Sequence, residues 1–166
     1  MINIVLIAHN LRSAHNVGSL LRTADGLGVQ KVFLTGYTPY PLVASSDDRL
    51  PHLAAKTNQQ IAKTALGAET TVDWEYLADI KGLLKDLKRQ GLTIAALEQS
   101  PESLALPSYK PPKTIALLVG REVEGIELDI LADCDIVLEI PMFGQKESFN
   151  VVQAAAMALY HFRFAR

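Results

Sequence analysis

Short apolar runs alternate along the chain with longer amphipathic segments, and the two patterns predict different elements. Aliphatic and β-branched runs predict strands at residues 3–8, 31–35, 70–74, 93–97, 114–119 and 135–140. Apolar residues at helical spacing predict helices at residues 16–27, 54–66, 75–90, 126–132 and 148–164. Because strands and helices alternate, we expect an α/β fold with a mostly parallel sheet flanked by helices.

The first predicted helix carries a polar stripe that an ordinary surface helix does not need. An asparagine stands at its start, a glycine lies one turn before an arginine, and a Gly-x-Gly sequence ends it. The stripe consists of Asn16, Ser19, Arg22 and Thr23. We therefore expect this side of the helix to form one wall of a binding site.

The last predicted helix, residues 148–164, is apolar around most of its circumference. A helix without a polar side must be buried within the fold or against a partner. Both possibilities are open from the pattern alone. For a helix at the end of a domain of this size, we favour a homodimer formed through this helix.

Several loops combine glycine, proline and charged residues. In open parallel sheets, ligands bind beyond the carboxyl ends of the strands. The loops at residues 97–99, 120–122 and 140–144 leave predicted strands and are therefore candidate site loops. The loop at residues 36–51 is long, polar and proline-bearing, which is typical of a functional or mobile segment.

Composition and charge limit the class of protein. The 166 residues are 49% hydrophobic and 20% charged, which predicts a single soluble domain over residues 1–166. No apolar run reaches the roughly 18 residues of a membrane span, and the first run lacks the flanks of a signal peptide. The only cysteine, Cys134, excludes an internal disulfide and fits a reducing cytoplasm. A net charge of −2 neither supports nor excludes RNA binding.

The four histidines and the acidic residues show no spacing typical of a metal site, so we expect no metal. We expect His9, His52 and His161 to be structural or surface residues, and Cys134 to be a small buried side chain.

Three short motifs stand out, and each alone has an ordinary explanation. N-x-G-x-x-x-R at residues 16–22 is also what a helix cap and a surface arginine would give. G-R-E-V-E-G at residues 120–125 is a charged, glycine-flanked turn. I-P-M-x-G at residues 140–144, followed by S-x-N at residues 148–150, is more unusual, and there capping and function are equally good explanations.

In this order and at these spacings, the three motifs resemble the signature of the SpoU/TrmH family of RNA 2′-O-ribose methyltransferases, which belongs to the SPOUT superfamily. The resemblance runs from Asn10 to the end of the chain and implies a minimal catalytic domain. It also implies an α/β-knot fold with a C-terminal trefoil knot. Knots are rare in proteins, and nothing in the periodicity reveals one here.

The resemblance implies S-adenosyl-L-methionine as the cofactor, bound at the three strand exits. By position, the residues that would contact it are Leu97, Gly120, Ile140 and Ser148, with Pro141 and Met142 shaping the pocket. A glycine at a strand exit lets adenine approach the backbone, whose N–H and C=O groups can bind its edge.

The resemblance also implies that Arg22 is the central catalytic residue, with Asn16, Glu122, Ser148 and Asn150 around it. Because the pKa of arginine exceeds about 12, we expect Arg22 to hold an RNA phosphate and stabilise the developing alkoxide rather than to act as a base. We expect Asn16 and Asn150 to orient the ribose and Arg22, and Glu122 to fix the guanidinium or a loop.

Structured RNA, either tRNA or rRNA, is the expected partner, and the motifs do not say which. Arg12, His15 and Arg49 are expected RNA contacts on weaker grounds. Two other readings are a catalytically silent RNA-binding paralogue and a nucleotide-binding α/β protein. The absence of G-x-G-x-x-G after the first strand disfavours the second of these.

Overall fold

A seven-stranded parallel sheet forms the centre of the computed structural model, which describes residues 1–43 and 47–165. The strands are β1 (Asn3–His9), β2 (Lys31–Thr35), β3 (Trp74–Leu77), β4 (Thr93–Leu97), β5 (Leu104–Ala105), β6 (Thr114–Val119) and β7 (Ile136–Glu139). Their spatial order is β3-β2-β1-β6-β4-β7-β5, and all the pairings are parallel. The predicted fold class is therefore confirmed in its sheet, while the knot stays an implication of the resemblance.

Helices cover both faces of this sheet. They are α1 (Ala14–Gly26), α2 (Pro51–Ala65), α3 (Ala68–Thr71), α4 (Ile80–Arg89), α5 (Leu128–Leu131) and α6 (Val151–Phe164), with a 3₁₀ turn at Leu106–Ser108. Ile4 and Leu6 of β1 pack with α1 and α6, whereas Val5 and Ile7 pack with α4 on the other face. Such two-sided burial is expected of a central parallel strand. Among the described residues, no helix has the length and hydropathy to cross a membrane.

The segment between α2 and β4 differs from the sequence prediction. Of the strand predicted at residues 70–74, only Trp74 is strand and residues 70 and 71 belong to the short helix α3; the helix predicted at residues 75–90 begins only at Ile80. The residues between them form β3, which pairs with β2 through Val32 and Trp74. Leu77 happens to continue the helical spacing of α4, and the pairing that makes β3 a strand is not local, so periodicity could not separate the two elements.

Two further boundaries differ at the end of the chain and in the proline-rich loop. The last helix begins at Val151 rather than at residue 148, because Asn150 Oδ1 accepts a hydrogen bond from the Val152 N–H at 2.8 Å and caps the helix there. The loop at residues 100–112 contains the short edge strand β5, which its prolines concealed.

The strands that carry the candidate site loops lie side by side. Ala96 of β4 pairs with Leu118 of β6, and Leu97 of β4 pairs with Leu138 of β7. The residues that follow these strands therefore emerge at one edge of the sheet. The sequence prediction that three loops share this edge is confirmed.

The glycine of the first motif lies where α1 crosses α2. A Cβ at Gly18 would collide with the carbonyl oxygen of Ile61 and the hydroxyl of Thr64. The same hydroxyl donates a hydrogen bond to the carbonyl oxygen of His15 at 2.7 Å. Gly18 therefore permits a close helix–helix contact and does not face a ligand.

Arg163 ties the last helix to the beginning of the chain. Its guanidinium donates hydrogen bonds to the carbonyl oxygens of Leu27 at 2.9 Å, Ile2 at 2.7 Å and Gly28 at 2.7 Å. Two of these carbonyls lie just beyond α1, whose C-terminal end favours a nearby cation. We call this set of contacts the Arg163 clamp.

Candidate active site

A cavity of about 250 Å³ opens at the carboxyl edge of β4, β6 and β7. Its walls come from the three loops that follow these strands and from the first turns of α6. The lining residues are Leu97–Gln99, Val119–Val123, Glu139, Ile140, Met142, Glu147–Phe149, Val151 and Ala154. The position agrees with the rule that parallel sheets bind ligands beyond their carboxyl ends.

Most of the residues predicted to bind a cofactor line this cavity. They are Leu97, Gly120, Ile140, Met142 and Ser148. Pro141 lies between two lining residues and is half-buried, but it is not part of the wall. The fold thus brings residues separated by up to 51 positions of sequence around one cavity.

The turn after β6, residues 121–125, forms one wall of the cavity and is fixed from β4. Glu98 accepts a hydrogen bond from the Ile126 N–H at 3.0 Å, and its carboxylate fills the space where a Cβ of Gly125 would stand. Gly125 has a φ of 71°, which favours glycine. The turn therefore requires a glycine at this position for both space and backbone conformation.

The first two motifs meet at Glu122. Asn16 Nδ2 donates to Glu122 Oε1 at 3.1 Å, and the Arg12 N–H donates to Glu122 Oε2 at 3.4 Å. Beside them, the Arg12 guanidinium pairs with Glu124 at 2.7 Å. A hydrogen bond from its own backbone N–H, together with Arg12, holds the pKa of Glu124 below its usual range. Glu122 thus fixes the start of α1 to the turn.

Arg22 is on the same helix but does not line the cavity. It is exposed and, within the part of the chain that the structure describes, its side chain makes no hydrogen bond or ion pair. The six positions between Asn16 and Arg22 correspond to about 9 Å along a helix axis. The structure therefore separates Arg22 from the cavity wall and leaves its guanidinium available to a ligand.

The third motif divides between the cavity and the helix cap. Ser148 is exposed at the cavity, whereas the Asn150 side chain caps α6 and does not line the wall. Gln99 Nε2 donates to the carbonyl oxygen of Glu147 at 2.7 Å and so joins the β4 exit to this loop. In this arrangement one lone pair of Asn150 Oδ1 is used by the backbone, and the amide N–H groups are open to a ligand.

Among the predicted RNA contacts, Arg49 is used within the fold. Its guanidinium binds Asp47 and the carbonyl oxygens of Tyr40 and Pro41, and it lies 3.7 Å from the centre of the Tyr40 ring. The hydrogen bond from Arg49 holds the pKa of Asp47 far below its usual range. We therefore infer that Arg49 holds its own loop in place. Residues 44–46 of this loop lie outside the described part of the chain. Arg12 and His15 are exposed.

Sequence reasoning missed a polar network at the carboxyl end of β1. Asn10 Nδ2 donates to His9 Nε2 at 3.0 Å and to Glu127 Oε1 at 2.9 Å, while Asn10 Oδ1 accepts from the Tyr37 N–H at 3.0 Å. His9 Nδ1 lies 2.8 Å from the hydroxyl of Thr35. The available signal was the pair of polar residues, His9 and Asn10, directly after the apolar run at residues 4–8.

Burial and hydrogen bonding set the charges in this network. Burial lowers the pKa of His9, against the opposing attraction of Glu127. Burial alone would raise the pKa of Glu127. Hydrogen bonds from its own backbone N–H and from Asn10, with the charges of His9 and Arg121, outweigh burial and lower this pKa. At neutral pH, His9 is therefore neutral, with Nε2 as an acceptor for Asn10, and Glu127 is ionised.

Comparisons with known proteins agree with this architecture. The model of the SpoU rRNA Methylase family matches residues 3–160. The 23S rRNA (guanosine-2′-O-)-methyltransferase RlmB of Neisseria meningitidis serogroup B is 32% identical over 163 residues, which are 98% of this chain and 59% of that protein. The chain thus spans less than two thirds of the length of this relative.

Solved structures show the same fold. An AdoMet-bound rRNA methyltransferase from Sinorhizobium meliloti superposes with a TM-score of 0.81 at 19% identity, over 97% of this chain and 56% of that one. A structure described as giving insights into the 2-OH methylation of C/U34 on tRNA has a TM-score of 0.75 at 24% identity, over 98% of this chain and 97% of that one. At these identities the likeness establishes the fold alone.

Proposed function

The chain belongs to the SpoU rRNA Methylase family, and on this premise we propose that it is an S-adenosyl-L-methionine-dependent RNA 2′-O-ribose methyltransferase. The observation that carries the proposal is the hydrogen bond between Asn16 and Glu122 beside the cavity, because it joins the first motif to the second at the place where a cofactor is expected. The expected substrate is structured RNA, and the family includes enzymes of both rRNA and tRNA.

The chemistry of the cavity fits this cofactor. Apolar side chains, including Leu97, Ile140 and Met142, line one part of it and suit an adenine ring. Four carboxylates and one guanidinium also line it, so the wall is acidic and favours a cationic ligand such as a sulfonium; they are Glu98, Glu122, Glu139, Glu147 and Arg121. The residues predicted to contact the cofactor would hold it there.

The bound cofactor supplies a methyl group on a positively charged sulfur, which is already a good leaving group. The chain's own residues then have to align a ribose 2′-oxygen with this methyl at near-attack distance. Ser148 at the cavity rim and the amide of Asn150 are the side chains that would orient the ribose. Glu122 would act indirectly, by fixing the turn to Asn16.

Arg22 would hold the RNA phosphate next to the target ribose and stabilise the negative charge that develops on its 2′-oxygen. The hydroxyl proton would leave through that phosphate or through a water molecule, since an arginine does not give up its own proton at neutral pH. The exposure of Arg22 and its lack of an ion pair within the described residues support this role.

The functional unit would be a homodimer formed through α6. Ala155, Ala158 and Phe162 of this helix are buried within the chain. The opposite side carries an open apolar stripe that includes Tyr160 and Phe164, which are 60% and 58% exposed with ring centres 4.6 Å apart. A second copy packed on this stripe would remove it from water.

Calorimetry with S-adenosyl-L-methionine and methyl transfer from labelled cofactor test the proposal together. We expect saturable cofactor binding and incorporation of label into total RNA from cells that lack the gene. Comparing 2′-O-methyl sites in RNA from cells with and without the gene then identifies the nucleotide. No binding at millimolar cofactor would reject the proposal, whereas binding without methylation of any cellular RNA would favour the silent RNA-binding paralogue.

A further inference from the structure

The turn that carries Glu122 has little support of its own. Residues 121–125 lie between β6 and α5 and are joined to each other by two hydrogen bonds between Arg121 and Gly125: the Gly125 N–H donates to the Arg121 carbonyl oxygen at 3.2 Å, and Arg121 Nε donates to the Gly125 carbonyl oxygen at 3.2 Å. Val123 is 86% exposed at its tip. The placement of Glu122 and of this cavity wall must therefore come from contacts outside the turn.

Besides the hydrogen bonds that Glu122 accepts from Asn16 and Arg12, two carboxylates supply such contacts from opposite sides. Glu98 of the β4 exit holds the Ile126 N–H on the cavity side. On the other side, Glu127 is the second residue after the turn; its Oε1 accepts a hydrogen bond from Asn10 at 2.9 Å and lies 3.7 Å from the Arg121 guanidinium. The second contact links the turn to β1 from outside the cavity wall.

All the polar atoms of the Asn10 side chain form hydrogen bonds, which hold it in position for this link. Its two amide hydrogens are shared between His9 and Glu127, and its oxygen accepts from Tyr37. Its φ of 55° lies in the left-handed region, which asparagine tolerates better than most residues. Gly36 packs directly against the Asn10 side chain and leaves it no room to turn away.

We propose that Asn10 and Glu127 are positioning residues, whose hydrogen bond fixes the turn at residues 121–125 and through it Glu122 and one wall of the cavity. The inference rests on the proposed function for its catalytic consequence, but its structural part is independent of any activity. His9 takes part by orienting the Asn10 amide, since its Nε2 accepts one of the two hydrogens.

One detail of Glu127 provides a conservative variant. Its Oε2 is buried and, within the described residues, has no hydrogen-bond donor, and it lies 3.5 Å from His9 Nε2. Glu127→Gln keeps an oxygen that accepts the hydrogen bond from Asn10, and it replaces the unsatisfied Oε2 with an amide NH₂ group. Glu127→Ala removes the link, and Asn10→Asp keeps the size and the acceptor for Tyr37 but loses both donated hydrogen bonds.

Amide hydrogen exchange tests the structural part in the full chain without ligand. We expect Glu127→Ala and Asn10→Asp to speed the exchange of the Gly125 and Ile126 amides at least about tenfold, because the turn opens locally. Glu127→Gln should restore near wild-type protection. Thr114→Val is the control, since it removes a hydrogen bond to Gly91 at the opposite end of the sheet and should leave both amides unchanged.

Methyl transfer tests the catalytic part. Displacement of the turn by Glu127→Ala should lower the rate of methyl transfer by roughly tenfold to a hundredfold, and Glu127→Gln should recover it. If Glu127 acts through Glu122, adding Glu127→Ala to a chain that already carries Glu122→Gln should lower the rate of methyl transfer little further. The rate reductions of the two single variants should then not multiply in the double variant. A general loss of stability would instead give multiplying effects.

Each result decides one part of the inference. Unchanged exchange at Gly125 and Ile126 in both Glu127→Ala and Asn10→Asp would overturn the positioning role. The proposed action of Glu127 through Glu122 would be overturned by either of two results. One is that the rate reductions of Glu127→Ala and Glu122→Gln multiply, and the other is that Glu127→Gln does not recover the rate. If the wild-type chain neither binds cofactor nor methylates RNA, the proposed function fails, and the exchange rates still decide whether Asn10 and Glu127 hold the turn.

Discussion

Asn16 of α1 donates a hydrogen bond to Glu122 of the turn after β6, across 106 positions of sequence, at 3.1 Å. Neither residue has a partner of this kind within its own element. The bond explains why a polar stripe begins at the start of α1, and it makes the position of the turn depend on that helix.

Changing Asn16→Asp should break this connection without changing the size of the side chain. Two carboxylates would then face each other, and their repulsion should move the turn away from α1. We expect methyl transfer to fall by roughly tenfold to a hundredfold, while the thermal midpoint changes little because the site is partly exposed. Thr114→Val, at the opposite end of the sheet, is the control and should behave as wild type. A variant with full activity would show that the bond is not needed for function.

Arg22→Ala should abolish methyl transfer, by at least about a hundredfold, because it removes the cation that we assign to the RNA phosphate and the developing alkoxide. The affinity for S-adenosyl-L-methionine should stay within twofold of wild type, since Arg22 does not line the cavity. Calorimetry and single-turnover rates measure the two effects separately. Loss of cofactor binding with normal turnover at saturating cofactor would contradict the assigned role.

Gly18→Ala should lower the free energy of unfolding by about 1–3 kcal/mol, because the added methyl group must push α1 and α2 apart. The matched control is Gly26→Ala at the end of the same helix, where a Cβ meets no atom within 4 Å. There we expect no loss, and a gain of up to about 1 kcal/mol from helix propensity. Urea unfolding of the two variants compares them directly, and equal stabilities would show that the α1–α2 contact can adjust.

The variants Tyr160→Glu and Leu159→Glu test the proposed dimer surface and the core of the chain independently. Tyr160 is 60% exposed and Leu159 is 0% exposed, so only the second substitution buries a charge within the chain. We expect Tyr160→Glu to give a folded monomer in sedimentation, and Leu159→Glu to unfold the chain at a cost of several kcal/mol. A wild-type chain that is monomeric at micromolar concentration would rule out the homodimer.

Acid should destabilise the chain partly through His9. Because burial lowers its pKa in the folded chain, unfolding takes up a proton once the pH falls below about 6.5, the value for an unfolded histidine. The contribution of His9 to stability is therefore complete above that pH and declines as the pH falls towards the folded-state pKa. Urea midpoints at pH 7.5 and 5.5 should differ less in His9→Asn than in wild type. An equal difference would mean that folding does not lower the pKa of His9.

Local patterns were sufficient for most of the sheet but not for its edges. The runs at β2, β4 and β6 are predicted residue for residue, because a buried parallel strand needs continuous apolar sequence. β3 and β5 lie at the two edges, where only pairing with one distant strand makes them strands. Such pairing leaves no periodic trace in the sequence.

The candidate site shows the same division. Five of the cavity residues were predicted as cofactor contacts, because the motifs at the strand exits resemble those of a known family; they are Leu97, Gly120, Ile140, Met142 and Ser148. Asn10 and Glu127 were not found, because they are 117 positions apart and each alone is an ordinary surface residue type. Gly18 was identified only as part of the first motif, since the sequence does not show that α2 crosses α1 at that point.

The Arg163 clamp has a consequence for the rate of folding. Its three hydrogen bonds join residues separated by 136, 161 and 135 positions, so most of the chain must be collapsed before they can form. Contacts of such long range slow folding, because the loop-closure entropy is lost before the contacts are gained. Interactions that form after the folding transition state act mainly by slowing unfolding. Because the clamp needs a largely collapsed chain, we expect it to act mainly by slowing the opening of the native state.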